Sequence, residues 1–265
     1  MAHDLGADCL ATGHYVRRDM LDGQPILRRG VDADKDQSYF LFATTAEQLA
    51  FVRFPLGNLT KDETRALARK YGLYVSDKPD SQDICFVPNG RYGDVVRKLR
   101  PGAIEAGLIK HIDGRVLGQH NGVIDYTIGQ RRGLGIGGRQ GEDNAPLYVV
   151  AIHAASHEVI VGPQSALAVE KVYLGEMNWV RGADCVMPAD TTEGRDVLVK
   201  LRNTAPASRA RLFLKGSDEI CLQLEKPEYG IATGQAGVIY DGQDDSHMLG
   251  GGWIRKAPTR ADSSI

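Results

Sequence analysis

From about residue 170 onward, strand-length pieces of alternating apolar and polar residues follow one another with short turns between them. Val197-Leu198-Val199-Lys200-Leu201-Arg202, Arg209-Ala210-Arg211-Leu212-Phe213-Leu214, Ile220-Cys221-Leu222-Gln223-Leu224 and Gly237-Val238-Ile239-Tyr240 all have the two-residue period of strands with one buried face. Short strands at this spacing predict a small, closed antiparallel β-barrel, because closure removes the unpaired edges that an open sheet would present. Cys221 lies inside such a strand and reads as core.

The front of the chain has a different cadence. A helix end at Ala2 to Leu5, a stop at Gly6 and an apolar strand Cys9-Leu10-Ala11 running into Thr12-Gly13-His14 suit a parallel α/β sheet. Ligands in such sheets sit beyond the carboxyl ends of the strands, where Gly13 and His14 fall. Cys9, within the strand, is expected in the core. Arg17 to Arg29 with its Asp22-Gly23 turn predicts a hairpin. One helix should start at Thr45 with Gln48 three residues on and end before Pro55. Another should start at Thr60 with Glu63 completing a capping box and stop at Gly72. A third is expected over about Tyr92 to Arg100. Between residues 103 and 168 glycine becomes frequent, and pieces such as Tyr148-Val149-Val150 and Val159-Ile160-Val161 read as strands.

Composition narrows the function classes. No run reaches the roughly eighteen apolar residues a membrane helix needs, and the N-terminus has no basic-then-apolar leader. Four dispersed cysteines, with no C-x-x-C pair, argue against a zinc ribbon or a disulfide scaffold and predict a reducing, cytoplasmic setting without a metal site. A net charge of −2 is silent on partners, since a local basic face can suffice for nucleic acid.

Two stretches carry chemistry. Tyr126 to Gly138 holds five glycines in thirteen residues around Arg131-Arg132. Such backbone can follow a phosphate chain with amides and guanidiniums as donors, or can be a glycine-rich hairpin tip. It is neither a Walker loop nor a dinucleotide fingerprint. Cys85, in Asp80-Ser81-Gln82-Asp83-Ile84-Cys85-Phe86, lies on a connector ahead of Pro88-Asn89-Gly90, where reactive groups are commonly placed. A buried filler cysteine is the alternative.

These stretches, with Ala11-Thr12-Gly13-His14-Tyr15 and Asp34-Lys35-Asp36-Gln37-Ser38-Tyr39-Phe40-Leu41, resemble the tRNA-specific 2-thiouridylases of the MnmA/TrmU family. The likeness continues through Gly234-Gln235-Ala236-Gly237-Val238-Ile239-Tyr240 to Leu249-Gly250-Gly251-Gly252. It implies ATP-dependent replacement of the C2 oxygen of the tRNA wobble uridine by sulfur, with ATP and Mg2+ as cofactor. The implied sulfur carrier is a persulfide on Cys85, loaded by a sulfur-relay donor protein. Cysteine is the side chain able to hold a second sulfur reversibly.

The implied fold is the α/β remnant of a PP-loop domain (adenine nucleotide α-hydrolase-like) over 1–88, a small α+β central domain over 89–168, a C-terminal antiparallel β-barrel over 169–258 and a tail over 259–265. Residue by residue, Gly13 resembles the adenine-nucleotide contact, and His14 and the Lys35-Asp36-Gln37 triplet resemble tRNA contacts. Arg131 and Arg132 would follow the RNA backbone. Arg202, Asn203 and Gln235 fall where the barrel touches tRNA, with Asn203 departing from the aromatic that often follows the arginine. Tyr39-Phe40-Leu41 reads as a core segment behind the triplet.

The sequence lacks the family's Ser-Gly-Gly-x-Asp-Ser phosphate loop and its second, upstream cysteine. The expectation is that the natural polypeptide starts upstream, the alternative being a chain without ATP chemistry. Residues before about 60 are then expected to be poorly ordered, or to pair with the chain itself or with another polypeptide. Three classes stand: a thiouridylase, a non-catalytic tRNA-binding module, and a persulfide carrier working with a separate ATPase.

Overall fold

The structure, a computed structural model, describes residues 2–73, 105–136, 145–186, 193–215 and 218–259. Cys85, the Pro88-Asn89-Gly90 turn and the helix expected over Tyr92 to Arg100 lie outside the described residues.

The fold begins with β1 (Leu10–Ala11), β2 (Val16–Leu21) and β3 (Gln24–Arg29). It continues with α1 (Ala46–Phe51), β4 (Val52–Arg53) and α2 (Lys61–Lys70). After these come β5 (Gly107–His111), β6 (Val116–His120), β7 (Tyr148–His153) and β8 (Glu158–Gly162). The last third holds β9 (Ala168–Trp179), β10 (Arg195–Lys200), β11 (Ser208–Leu214), β12 (Glu219–Tyr229), β13 (Ala236–Asp241) and β14 (His247–Lys256). No described helix is long and apolar enough to cross a membrane.

Two compact units emerge. One holds the described residues within Met1–Pro79, Lys171–Lys226 and Thr233–Ala257, and the other those within Asp80–Glu170, Pro227–Ala232 and Pro258–Ile265.

In the first unit the expected barrel forms. Strands order as β13-β10-β11-β12-β9-β14, and β13 pairs with β14 to close the ring. The alternation works as predicted: Val197 and Val199 on β10, Ala210 and Leu212 on β11, and Ile220, Leu222 and Leu224 on β12 are all buried. Cys221 is buried too, as a core residue should be. On β14 the Gly250-Gly251-Gly252 run lets neighbours close in. A Cβ on Gly251 would meet the Gly237 carbonyl oxygen and the Phe42 ring, both at 2.9 Å.

The N-terminal segment is built onto this barrel. Asp22 and Gly23 take φ of 51° and 76°, the left-handed pair that a two-residue hairpin turn needs, so β2 pairs antiparallel with β3. β3 then pairs with β14 through Arg28 opposite His247 and Leu27 opposite Met248. Asn178 donates to the carbonyls of Phe42 and Thr44 at 2.7 and 2.9 Å, and Phe42 meets Trp253 edge-on. Val16, Leu27, Tyr39, Phe42 and Leu49 share one core cluster with Val238, Tyr240 and Met248. Each fully buried aliphatic there contributes about 1.5–3 kcal/mol. Poor order before residue 60 is therefore not what the chain shows, since the hairpin finds a partner strand within its own barrel.

Both capping boxes are present. Thr45 accepts from the Gln48 amide while Gln48 accepts from the Thr45 amide, and Thr60 and Glu63 do the same. The second box is tight, with Thr60 N donating to Glu63 at 2.7 Å, and each cap is worth ~1 kcal/mol. The first helix ends at Phe51, earlier than its sequence suggests, because Val52 and Arg53 are drawn into a parallel ladder with Leu10 and Ala11. That ladder is all that β1 has among the described residues. Cys9 is accordingly exposed, against the expectation of a core position.

The second unit holds a four-stranded sheet ordered β6-β5-β8-β7, in which β5 and β8 run parallel. Ile109, Val149, Val159 and Val161 are fully buried in it, with Leu134 from the glycine-arginine loop packed on the same cluster.

Candidate functional site

Most of the residues singled out above fall in the first unit. Thr12 follows the β1 ladder, its amide bonded to the Arg53 carbonyl, which fixes where Gly13 and His14 emerge. Gly13 is exposed, and a Cβ there would meet only Leu56 Cδ1, at ordinary contact distance of 3.6 Å. The protein itself therefore leaves the backbone open at Gly13, as a nucleotide contact would need. His14 is partly exposed, with Nδ1 2.8 Å from the Thr12 hydroxyl. The next residue, Tyr15, is pinned twice: its amide donates to Gln37 Oε1 at 2.9 Å, and its carbonyl accepts from the Gln37 amide at 3.1 Å. Gln37 thus spends its side-chain oxygen inside the protein, and its NH2 end is the one left to address a ligand.

Asp36 has a similar double character. Its carboxylate accepts from the Gly30 amide at 3.1 Å, the Ser38 amide at 3.0 Å and the Ser38 hydroxyl at 2.8 Å. It is the knot of the turn that presents Lys35. Immediately behind it, Ser38 and Tyr39 are buried on a short 3-10 turn (Ser38–Leu41). That tight winding turns Phe40 outward to 59% exposure. The expectation that Phe40 belongs to the core is corrected here: it is a solvent-facing aromatic three residues from Gln37.

The triplet is coupled to the barrel through hydroxyls. Ser38 Oγ lies 2.8 Å from Tyr240 Oη on β13. Tyr39 donates to the Ala236 carbonyl at 3.0 Å, which sets the Lys35–Gln37 turn beside the Gly234-Gln235 turn. Gln235 is exposed, and its carbonyl holds the Ile254 amide at 2.8 Å. Lys200, the last residue of β10, carries its ammonium 6.0 Å from the Tyr39 ring centroid, and Leu201, Arg202 and Asn203 follow directly. Arg202 is partly buried and Asn203 exposed. The structure therefore ties the turn of Lys35, Asp36 and Gln37 to the barrel next to the Gly234-Gln235 turn, while Arg202 and Asn203 follow Lys200 in the chain.

Two basic residues of this unit escaped the sequence reading. Arg29, at the end of β3, lays its guanidinium 4.0 Å from the Tyr240 ring centroid, a stacking contact. Lys200, over the ring of Tyr39, is half-buried. Burial pushes the Tyr240 hydroxyl up to about 12, with the Asp36 charge adding to the rise while Ser38 and Arg29 oppose it. The Lys200 ammonium is pulled below its usual range, first by burial and then by the like charge of Arg29, with Asp36 opposing. Arg28-Arg29 reads in sequence as an ordinary basic pair. Only the fold separates them, sending Arg28 to Asp19 and Asp244 and Arg29 to Tyr240.

Arg131 and Arg132 belong to the second unit. Gln130 folds their loop on itself: its Oε1 accepts from the Thr127 amide at 2.9 Å and its Nε2 donates to the Arg132 carbonyl at 3.0 Å. Leu134 anchors the loop in the core, between Gly133 and Gly135, both at φ 71°. The two arginines are left exposed at its crest. Gly137 and Gly138 lie outside the described residues. Among the described residues no group of three or more His, Cys, Asp or Glu could hold a metal ion.

Comparison with known proteins identifies the family. A family model described as the tRNA methyl transferase HUP domain matches residues 1–89. One described as the tRNA methyl transferase PRC-barrel domain matches 95–163, and an aminomethyltransferase beta-barrel domain model matches 169–254. A protein of Rhodospirillum centenum, named tRNA-specific 2-thiouridylase MnmA, is 55% identical over 270 aligned residues, covering 100% of this chain and 66% of that protein. The chain belongs to the tRNA-specific 2-thiouridylase family. Proteins of the same name from Sphingopyxis alaskensis (55% identical; 98% of this chain, 63% of that protein) and Maricaulis maris (54%; 96% and 60%) agree. The chain thus spans a little under two thirds of the length of these 2-thiouridylases. The α/β front segment, central domain and closed antiparallel barrel expected from the sequence fit the three matched domains.

Proposed function

We propose that this chain takes part in the 2-thiolation of the wobble uridine of tRNA, a reading supported by relatives named tRNA-specific 2-thiouridylase. The observation that carries the reading is identity of 55% along the whole chain rather than over one domain. The open backbone at Gly13 fits an adenine nucleotide, which would supply the activation that makes the uridine C2 oxygen a leaving group. Cys85 would carry sulfur as a persulfide loaded by a relay protein, in the cytoplasm, with Mg2+ accompanying the nucleotide. The outer sulfur would attack C2 as the activated oxygen leaves with AMP, and the family's upstream cysteine, which this sequence lacks, would then release it by forming a disulfide with Cys85. His14, Lys35, Gln37, Arg202, Asn203 and Gln235 would hold the anticodon loop, and Asp36 would shape the turn that presents them. The domain limits at 88, 168 and 258 belong to the same reading. Depleting the protein in its own cell should remove 2-thiouridine from tRNA hydrolysates, read by nucleoside mass spectrometry. Unchanged 2-thiouridine would overturn the proposal.

The exposed arginine crest gives a separate expectation. Arg131→Ala combined with Arg132→Ala should weaken tRNA binding and lower the slope of log K against log salt by about two, one for each lost phosphate contact. Because both side chains are exposed and Leu134 still anchors the loop, the fold should be unaffected. An unaltered slope returns the loop to a purely structural role.

A further inference from the structure

The tRNA reading leaves Arg29 and Lys200 without a task, and the fold leaves two donors of Arg29 unpaired. Arg29 Nε and Nη2 are both shielded from solvent and meet no hydrogen-bond acceptor. Their N–H bonds run parallel along one side of the guanidinium plane, the fork that takes two oxygens of a single oxyanion. A shielded donor with no acceptor costs free energy, and stacking on Tyr240 offsets only part of that cost.

Lys200 adds a second positive charge. Lys200 pairs with Val238 on the neighbouring strand, two residues from the Tyr240 that Arg29 covers, and Lys200 itself lies over the ring of Tyr39. The Asp36 carboxylate is already engaged by Gly30 and Ser38. Among the described residues, no ion pair joins Lys200 or the Arg29 guanidinium to a carboxylate. Two cations against one engaged carboxylate leave an excess of positive charge in a half-buried setting, where it is weakly screened.

We propose that Arg29 and Lys200 receive one phosphodiester of the RNA backbone, Arg29 through its Nε–Nη2 fork and Lys200 as a mobile point charge. The inference rests on the tRNA reading and adds a contact to it. Inorganic phosphate and nucleotide phosphates share the same chemistry. Placement favours the polymer: Lys200 stands two residues before Arg202, and the Asp36 turn carries Lys35, Gln37 and the outward-facing Phe40, a surface for a base as well as a phosphate. A single-charged phosphodiester is also repelled less by Asp36 than a doubly charged phosphate would be. Entry to the shielded fork needs a neighbouring side chain to move, and the four-carbon stem of Lys200 can swing with the phosphate.

The test is tRNA binding by the chain as it stands, followed by fluorescence anisotropy over a series of KCl concentrations. Lys200→Gln should weaken binding about fivefold at low salt and lower the salt slope by about one. Lys200→Arg should restore both. Arg29→Lys keeps the charge but removes the fork, and should weaken binding with the slope retained. If Arg29→Lys fails to fold, the two Lys200 variants still decide the matter. Wild-type binding with Lys200→Gln unaltered in affinity and slope overturns this inference alone. Absence of salt-dependent tRNA binding by the wild type overturns the tRNA reading and this inference with it. Inorganic phosphate or ATP that displaces tRNA from the wild type, at matched ionic strength, but not from Lys200→Gln reassigns the site to free phosphates and overturns the backbone contact.

Discussion

Cys85→Ser is expected to abolish thiolation while leaving tRNA affinity near that of the unaltered enzyme. The measurement is 2-thiouridine formation by an enzyme that also carries the phosphate-loop portion, with binding followed separately. Sulfur transfer needs an atom that can bind a second sulfur and release it again. The cysteine thiolate does this through a persulfide, whereas a serine hydroxyl is a weak nucleophile that forms no comparable sulfur adduct. Removing a covalent nucleophile costs on the order of 10^4-fold or more in rate. Binding should hardly change, because RNA affinity comes chiefly from cationic and hydrogen-bonding groups placed elsewhere. Asp80 and Asp83, close in sequence, disfavour a free thiolate by like charge if they lie near it, so the active sulfur needs compensating donors. Thiolation retained by the serine variant would remove Cys85 from the mechanism.

A large effect on stability is expected at Gly57. A Cβ built there would stand 1.8 Å from the Val16 carbonyl oxygen and 2.5 Å from the carbonyl carbon. Both are backbone atoms of the fully buried first residue of β2, so no side-chain rotation relieves the clash. The chain would have to part by more than an ångström at a point where the Gly57 carbonyl also holds the Val31 amide. Gly57→Ala should destabilise the barrel unit by about 3 kcal/mol or more, lowering its melting temperature by roughly 10 °C. Gly13→Ala is the control, since its Cβ would meet only Leu56, and stability should stay within about 0.5 kcal/mol of wild type. Thermal unfolding followed by circular dichroism separates the two. Equal melting temperatures for the two variants would mean that the strand at Val16 yields more easily than its packing indicates.

The parts of this fold that depend on short-range chemistry can be read from the residues. Thr45 with Gln48, Thr60 with Glu63 and Asp22-Gly23 each act over two to four residues, and each appears where its chemistry puts it. The barrel was legible because its alternation repeats strand after strand, so that errors at one turn do not spoil the next. Leu27 and Met248 illustrate what was not legible: they pair across more than two hundred residues, and nothing local announces that a hairpin near the N-terminus will extend a barrel near the C-terminus. Phe40 and Cys9 were misplaced because an apolar residue in an apolar run is taken as core until the surrounding packing is known. The family motifs named Lys35, Gln37 and Arg202, but Arg29 and Lys200 acquire meaning only when Tyr240 and Tyr39 bring them together. A sequence places charges along a line, and the anion site is a property of three strands.

The pairing of β3 with β14 has a mechanical consequence. Through that pairing the stretch from Val16 to Arg29 is an extension of the barrel wall rather than a neighbour resting on it. A pull on the hairpin is borne by backbone hydrogen bonds and by the shared core under Leu27 and Met248. The barrel and the β2–β3 hairpin must therefore tilt or translate as one rigid lever in any larger motion of this unit. Any hinge in this part of the chain has to be found outside that lever.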